Sequence, residues 1–121
     1  MATIKAYTDL EQSKKLAEIL PIESADMMYH SVETEYGSGV FVAISKVITN
    51  GFENDDFYID DIPCWSLTAL LKVMPFWYDI HPVKNGVAIK CDYGKEEIVI
   101  SSNHIDACVE MIIKLNKLNL L

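Results

Sequence analysis

Arginine is absent. All ten basic residues are lysine, set against 18 acidic ones, for a formal net charge of −8 over 121 residues. Arginine supplies the planar fork that grips phosphate and carboxylate bidentately and reads guanine in the major groove. Without it, and with a field that repels polyanions, the chain is a poor candidate for direct nucleic-acid binding, phosphoryl transfer or attachment to an anionic membrane. An AT-rich genome would also deplete arginine codons, so the charge balance ranks these classes low without deleting them.

Long apolar runs are missing too. Lys, Asp, Glu or Asn interrupts every hydrophobic segment well before the roughly 20 residues that a spanning helix needs. Residues 1–20 carry Lys5, Asp9, Glu11, Lys14, Lys15 and Glu18 where a signal peptide requires a continuous apolar core, so a cytoplasmic protein is expected. Cysteine is sparse: Cys64, Cys91 and Cys108 are odd in number, widely spaced and without a CxxC pair. That pattern fits neither a disulfide framework nor a zinc site and reads as small core hydrophobes.

Only five glycines occur, and none forms GxGxxG or GxxxxGK, so the usual phosphate cradles are missing. The acids between Glu53 and Asp61 lack the alternating ligands and central glycine of an EF-hand loop and read as a solvated face. No cofactor and no metal are expected. Cys64 beside Asp60 and Asp61, with His30, His81 and His104 elsewhere, supplies the residue types of a thiol nucleophile, but no glycine-rich elbow flanks it. Catalysis is therefore the less favoured class.

What is present is a globular balance, half hydrophobic and 23% charged, in a chain of the commonest single-domain length. One domain over residues 1–121 is expected. Thr8 and Glu11 have capping-box spacing, and Leu10, Leu16, Ala17 and Leu20 recur at helical intervals up to Pro21, predicting a helix over 9–20. Alternation from Asp26 predicts a β-hairpin whose second arm, 40–48, lies inside the sheet, with Asn50-Gly51 marking a turn. Leu67, Leu70, Leu71 and Met74 mark a second helix before Pro75. Residues 76–81, 87–91 and 96–100 read as a three-stranded meander. Asn103 and Asp106 cap a last helix, whose apolar stripe would next fall on Asn119, where fraying is expected. The order is α, β-hairpin, α, β-meander, α. An α+β fold is expected, with one antiparallel sheet of about five strands and helices mainly on one face.

Three parts of the chain, YTDLEQSKKLAEILP at 7–21 with ESADM at 23–27, DIPCWSLTALL at 61–71 and DACVEMII at 106–113, resemble a family of short proteins from gut Bacteroidetes and their mobile elements. The resemblance covers under half of the chain. It implies a bacterial, mobile-element origin and brings no activity with it.

The segment that stands out is acidic and aromatic: Phe57, Tyr58, Asp60, Asp61 and Trp65, with Trp77 across the second helix. Aromatics carry much of the energy of protein interfaces and rim charges select the partner, so this is the candidate interaction surface. The bland alternative is that Trp65 and Trp77 brace the second helix against the sheet. The expected function is a non-catalytic interaction or accessory module for a basic protein partner, or, in a sharper form, a mimic of nucleic acid. The alternative is an enzyme or small-ligand binder with a pocket near Cys64 and His81. Open sheet edges also permit a homodimer.

Overall fold

The computed structural model describes residues 5–33, 39–45, 62–74, 78–92 and 96–121. The elements run α1 (Leu10–Ala17), a single 3-10 turn (Ile22–Ser24), β1 (Met27–Glu33), β2 (Gly39–Ser45), β3 (Ile62–Cys64), α2 (Leu67–Val73), β4 (Tyr78–Val83), β5 (Gly86–Asp92), β6 (Glu96–Ser101) and α3 (His104–Lys117). The fold is α+β, as expected, but among the described residues the strands form two three-stranded antiparallel sheets, β2-β1-β3 and β4-β5-β6. The single sheet of about five strands is thereby corrected. Pro63 on β3 and Pro82 on β4 each lack an N–H, which disfavours extending the ladder through those two outer strands.

The β3 strand escaped the sequence reading because three residues with a central proline do not look like a strand. It pairs with β1 through Met27↔Cys64, Met28↔Pro63 and Tyr29↔Ile62. The arm β2, expected inside the sheet, is an outer strand among the described residues, and its Val42 is exposed. The Asn50-Gly51 turn lies outside the described residues.

Helix α1 begins one residue later than the Thr8 box implies. Asp9 is the cap: its carboxylate accepts from the Gln12 amide at 2.8 Å, while Gln12 Oε1 accepts from the Asp9 amide at 3.0 Å. Thr8 is unavailable because its hydroxyl is buried, accepting from the Trp65 amide at 3.1 Å and sharing a 2.8 Å hydrogen bond with Ser13 Oγ. Helix α2 is capped by Ser66, and α3 by Asn103, whose side chain accepts from the Asp106 amide at 2.8 Å.

The expected fraying at Asn119 is also corrected. Asn119 adopts φ 58°, its N–H donates to Asn116 O, and the Leu120 N–H donates to Leu115 O. This pair of bonds is a Schellman closure, which uses a left-handed residue to satisfy the last carbonyls. The meander matches the sequence pattern. Its β4–β5 turn, Lys84-Asn85, uses Asn85 at φ 66°, a conformation that asparagine tolerates better than most residues.

One core cluster joins these parts. Leu16 of α1, Leu70 of α2, Ile89 and Cys91 of β5 and Ile105, Cys108, Ile112 and Leu115 of α3 gather around the fully buried Trp65. Helix α3 lies on the inner face of β5 and β6, α2 packs on α3, and α1 packs on β3.

Candidate functional site

The chain leading into α1 runs beside the strand end at 64–66. The Thr8 amide donates to Trp65 O at 2.9 Å, and Tyr7 bridges Ser66. This placement sets Tyr7 against Tyr29 of β1, with ring centroids 6.3 Å apart and planes at 68°. Edge-to-face pairs of this kind satisfy the quadrupoles of both rings. The Tyr29 hydroxyl is fixed by donation to Thr8 O at 2.7 Å. Burial, and then the nearby Cys64, Tyr7 and Asp9, push its pKa up to about 12.

Lys5, Ala6, Tyr7, Asp9 and Tyr29 line an open groove of about 230 Å³. Lys5 closes one end without offering a free charge. Its ammonium donates to Asp9 Oδ2 at 2.9 Å, Gln12 Oε1 at 2.8 Å and Asp106 Oδ1 at 2.9 Å, which uses all three of its protons. Partial burial works against this ammonium, but the bonds and charges of Asp106 and Asp9 outweigh it and hold the pKa above the ordinary lysine value. Burial likewise opposes the Asp9 carboxylate. The Gln12 amide and Lys5 nonetheless keep its pKa below the usual range. Asp106 is also held low, by Lys5, Gln12 and Asn103 against its burial. Two ionised carboxylates facing one ammonium leave the groove's end negative.

The sequence-predicted surface fares differently. Phe57, Tyr58, Asp60, Asp61 and Trp77 lie outside the described residues. Trp65 is corrected: it is wholly buried, and its indole N–H donates to Ser24 Oγ at 2.9 Å, which in turn donates to Pro21 O at 2.6 Å. A tryptophan satisfied in this way braces the core and cannot face a partner.

Cys64 and His81, expected beside the alternative pocket, lie on different sheets. Cys64 is fully buried on the first sheet, while His81 stands exposed on the second, with Nδ1 3.1 Å from Asp79 Oδ2. Cys64 shares a sheet face with Met27, its cross-strand partner, so His30, three residues along β1, projects from the other face. Burial raises the thiol pKa of Cys64 despite hydrogen bonds from Thr8 and Ser13, and burial raises Cys91 as well. Cys108 is pushed up to about 12, by burial and then by Cys91. None of the three has the lowered pKa that a thiolate nucleophile requires. Among the described residues, no three His, Cys, Asp or Glu side chains are grouped as a metal site would need. No described helix is long and apolar enough to cross a membrane.

Sequence reasoning had no means of finding the groove. Tyr7 and Tyr29 were two of six tyrosines, and what unites them is the pairing of residues 7–8 with residues 65–66. No known protein family, curated protein or solved structure matches the chain.

Proposed function

We propose that this protein is a non-catalytic interaction module that receives a lysine side chain of a basic protein partner in the Tyr7–Tyr29 groove. The observation that carries the reading is the juxtaposition of two crossed tyrosine rings with the ionised Asp9 carboxylate. An alkylammonium is attracted both to aromatic faces and to a nearby carboxylate. Its methylene stem suits the apolar walls of a small groove. The net charge of −8 adds long-range steering toward a basic surface.

The groove is smaller than the roughly 300–1,000 Å³ of typical small-molecule sites, which weighs against the ligand-binding alternative. Three buried free thiols support a cytoplasmic setting, where thiols stay reduced. A mobile-element origin is supported by the segments at 7–27, 61–71 and 106–113 alone.

Calorimetric titration with a short lysine-rich peptide tests the proposal. Binding should weaken with rising salt and fall about 5- to 30-fold in Tyr7→Ala and in Asp9→Asn, since a cation–π contact and a partly desolvated charge are each worth about 1–2 kcal/mol. Asparagine caps a helix as well as aspartate does, so Asp9→Asn keeps α1 intact. Equal binding by wild type and both variants would refute the assignment.

A further inference from the structure

Among the described residues, nothing pairs with the outer edge of the second sheet. In the order β4-β5-β6, the β4 edge carries Pro82 and the polar pair Asp79 and His81, devices that discourage edge-to-edge pairing. The β6 edge has no proline and no lysine. Its central residues are Ile98, Val99 and Ile100, and the two isoleucines are 47% and 65% exposed. Val99 turns inward to the core and Glu97 reaches Lys114 of α3 at 3.0 Å. Ile98 and Ile100 therefore stand together on the face away from α3, across from Lys90 and Ala88 of β5.

We infer that β6 pairs antiparallel with β6 of a second copy of this chain, making one continuous six-stranded sheet across a two-fold axis. The sequence of the strand selects both the occupant and the register. Side-by-side antiparallel strands related by a two-fold have that axis normal to the sheet, so each residue must face one from the same side of the partner strand. Centring the axis on Val99 sets Ile98 opposite Ile100 of the partner, twice over, and Glu97 opposite Ser101. Centring it on Ile98 would instead set Glu97 against an inward valine. Centring it on Ile100 would set Ile98 beyond the end of the partner strand. Only the Val99 register matches apolar with apolar and leaves no carboxylate opposite an apolar residue or another carboxylate, which is the pairing that stabilises a sheet. Each copy carries −8, so added salt relieves repulsion and strengthens this association, whereas it weakens binding of a basic partner. The two readings therefore separate in one experiment.

The test is sedimentation velocity over a concentration series at low and high salt, on the wild type and on Ile98→Lys/Ile100→Lys. Both side chains are solvent-exposed, so this variant keeps its fold, verified by an unchanged circular dichroism melt. The expected result is a concentration-dependent dimer, favoured by salt, that becomes monomeric in the variant. Register is read by mixing Ile98→Cys protein with Ile100→Cys protein under mild oxidation. The native thiols are buried, so a cross-linked dimer should accumulate from the mixture well above the level from either protein alone. A wild type that stays monomeric at every concentration and salt, a dimer that survives the double lysine substitution, or cross-linking that shows no preference for the mixture would each overturn the inference.

Discussion

Lys5 Nζ and Asp106 Oδ1 meet at 2.9 Å across 101 residues of sequence, fastening the segment before α1 to the first turn of α3. Gln12 Nε2 donates to the same oxygen at 2.8 Å, and Asn103 Nδ2 donates to Asp106 Oδ2 at 2.9 Å. One carboxylate thus holds the starts of both helices, and the groove depends on where that clasp sets Tyr7.

Lys5→Met should lower stability by about 2 kcal/mol, the usual worth of a charge-assisted hydrogen bond whose partner stays half-buried. Thermal or urea unfolding would measure it. The same variant should loosen the Tyr7–Tyr29 contact, which nuclear Overhauser effects between the two rings would report.

The pH dependence of stability follows from the directions of the shifts. Asp9 and Asp106 have folded pKa values below their unfolded ones, so their contribution is complete above about pH 4 and is lost as pH falls through the folded values. Lys5, Tyr29, Cys64 and Cys108 are raised. Their contribution is complete below the unfolded values, which begin at about 8.5 for thiols, and is lost as pH rises through the folded ones. Urea midpoints measured across pH should form a plateau between these limits. In Asp106→Asn the acid limb should flatten.

Thr8 is a hub for buried polar groups: Trp65 N–H, Ser13 Oγ and Cys64 Sγ all reach its hydroxyl or carbonyl. Thr8→Val keeps the shape but strands the Trp65 amide, and should destabilise the fold by about 1–3 kcal/mol. Adding Ser13→Ala should cost less than the sum of the two single changes, because they share a bond.

Gly86 is required by close approach. A Cβ there would lie 2.2 Å from the carbonyl oxygen of Ser101, a backbone atom of the neighbouring strand. Gly86→Ala must spread the β5–β6 ladder and should lower stability by about 1–3 kcal/mol, as overpacking typically does. A melting curve checks this, and hydrogen exchange should locate the loss in β5 and β6.

Much of this fold was legible where the cause is local. Asn103 with Asp106 announced the start of α3, and the stripe through Ile105, Cys108, Ile112 and Leu115 announced its buried face. The meander showed in its alternation. Errors arose where a distant residue decides. Thr8 has the chemistry of a cap, but the Trp65 amide claims its hydroxyl, so Asp9 takes over. Trp65 sits in an acidic aromatic stretch that looks like an interface, yet Ser24, 41 residues away, satisfies its indole inside the core. Pro63 hid a strand that exists because β1 pairs with it. The groove itself is the product of such long-range pairing and has no local signature.

The central claim is that the Tyr7–Tyr29 groove takes a lysine side chain, and the most direct measurement is an amide and aromatic NMR titration with a lysine-rich peptide. The account predicts saturable shifts in the Tyr7 and Tyr29 ring signals and in the Asp9 and Gln12 amides, abolished in Tyr7→Ala. A saturable response confined to other residues, or no response at all, would contradict it.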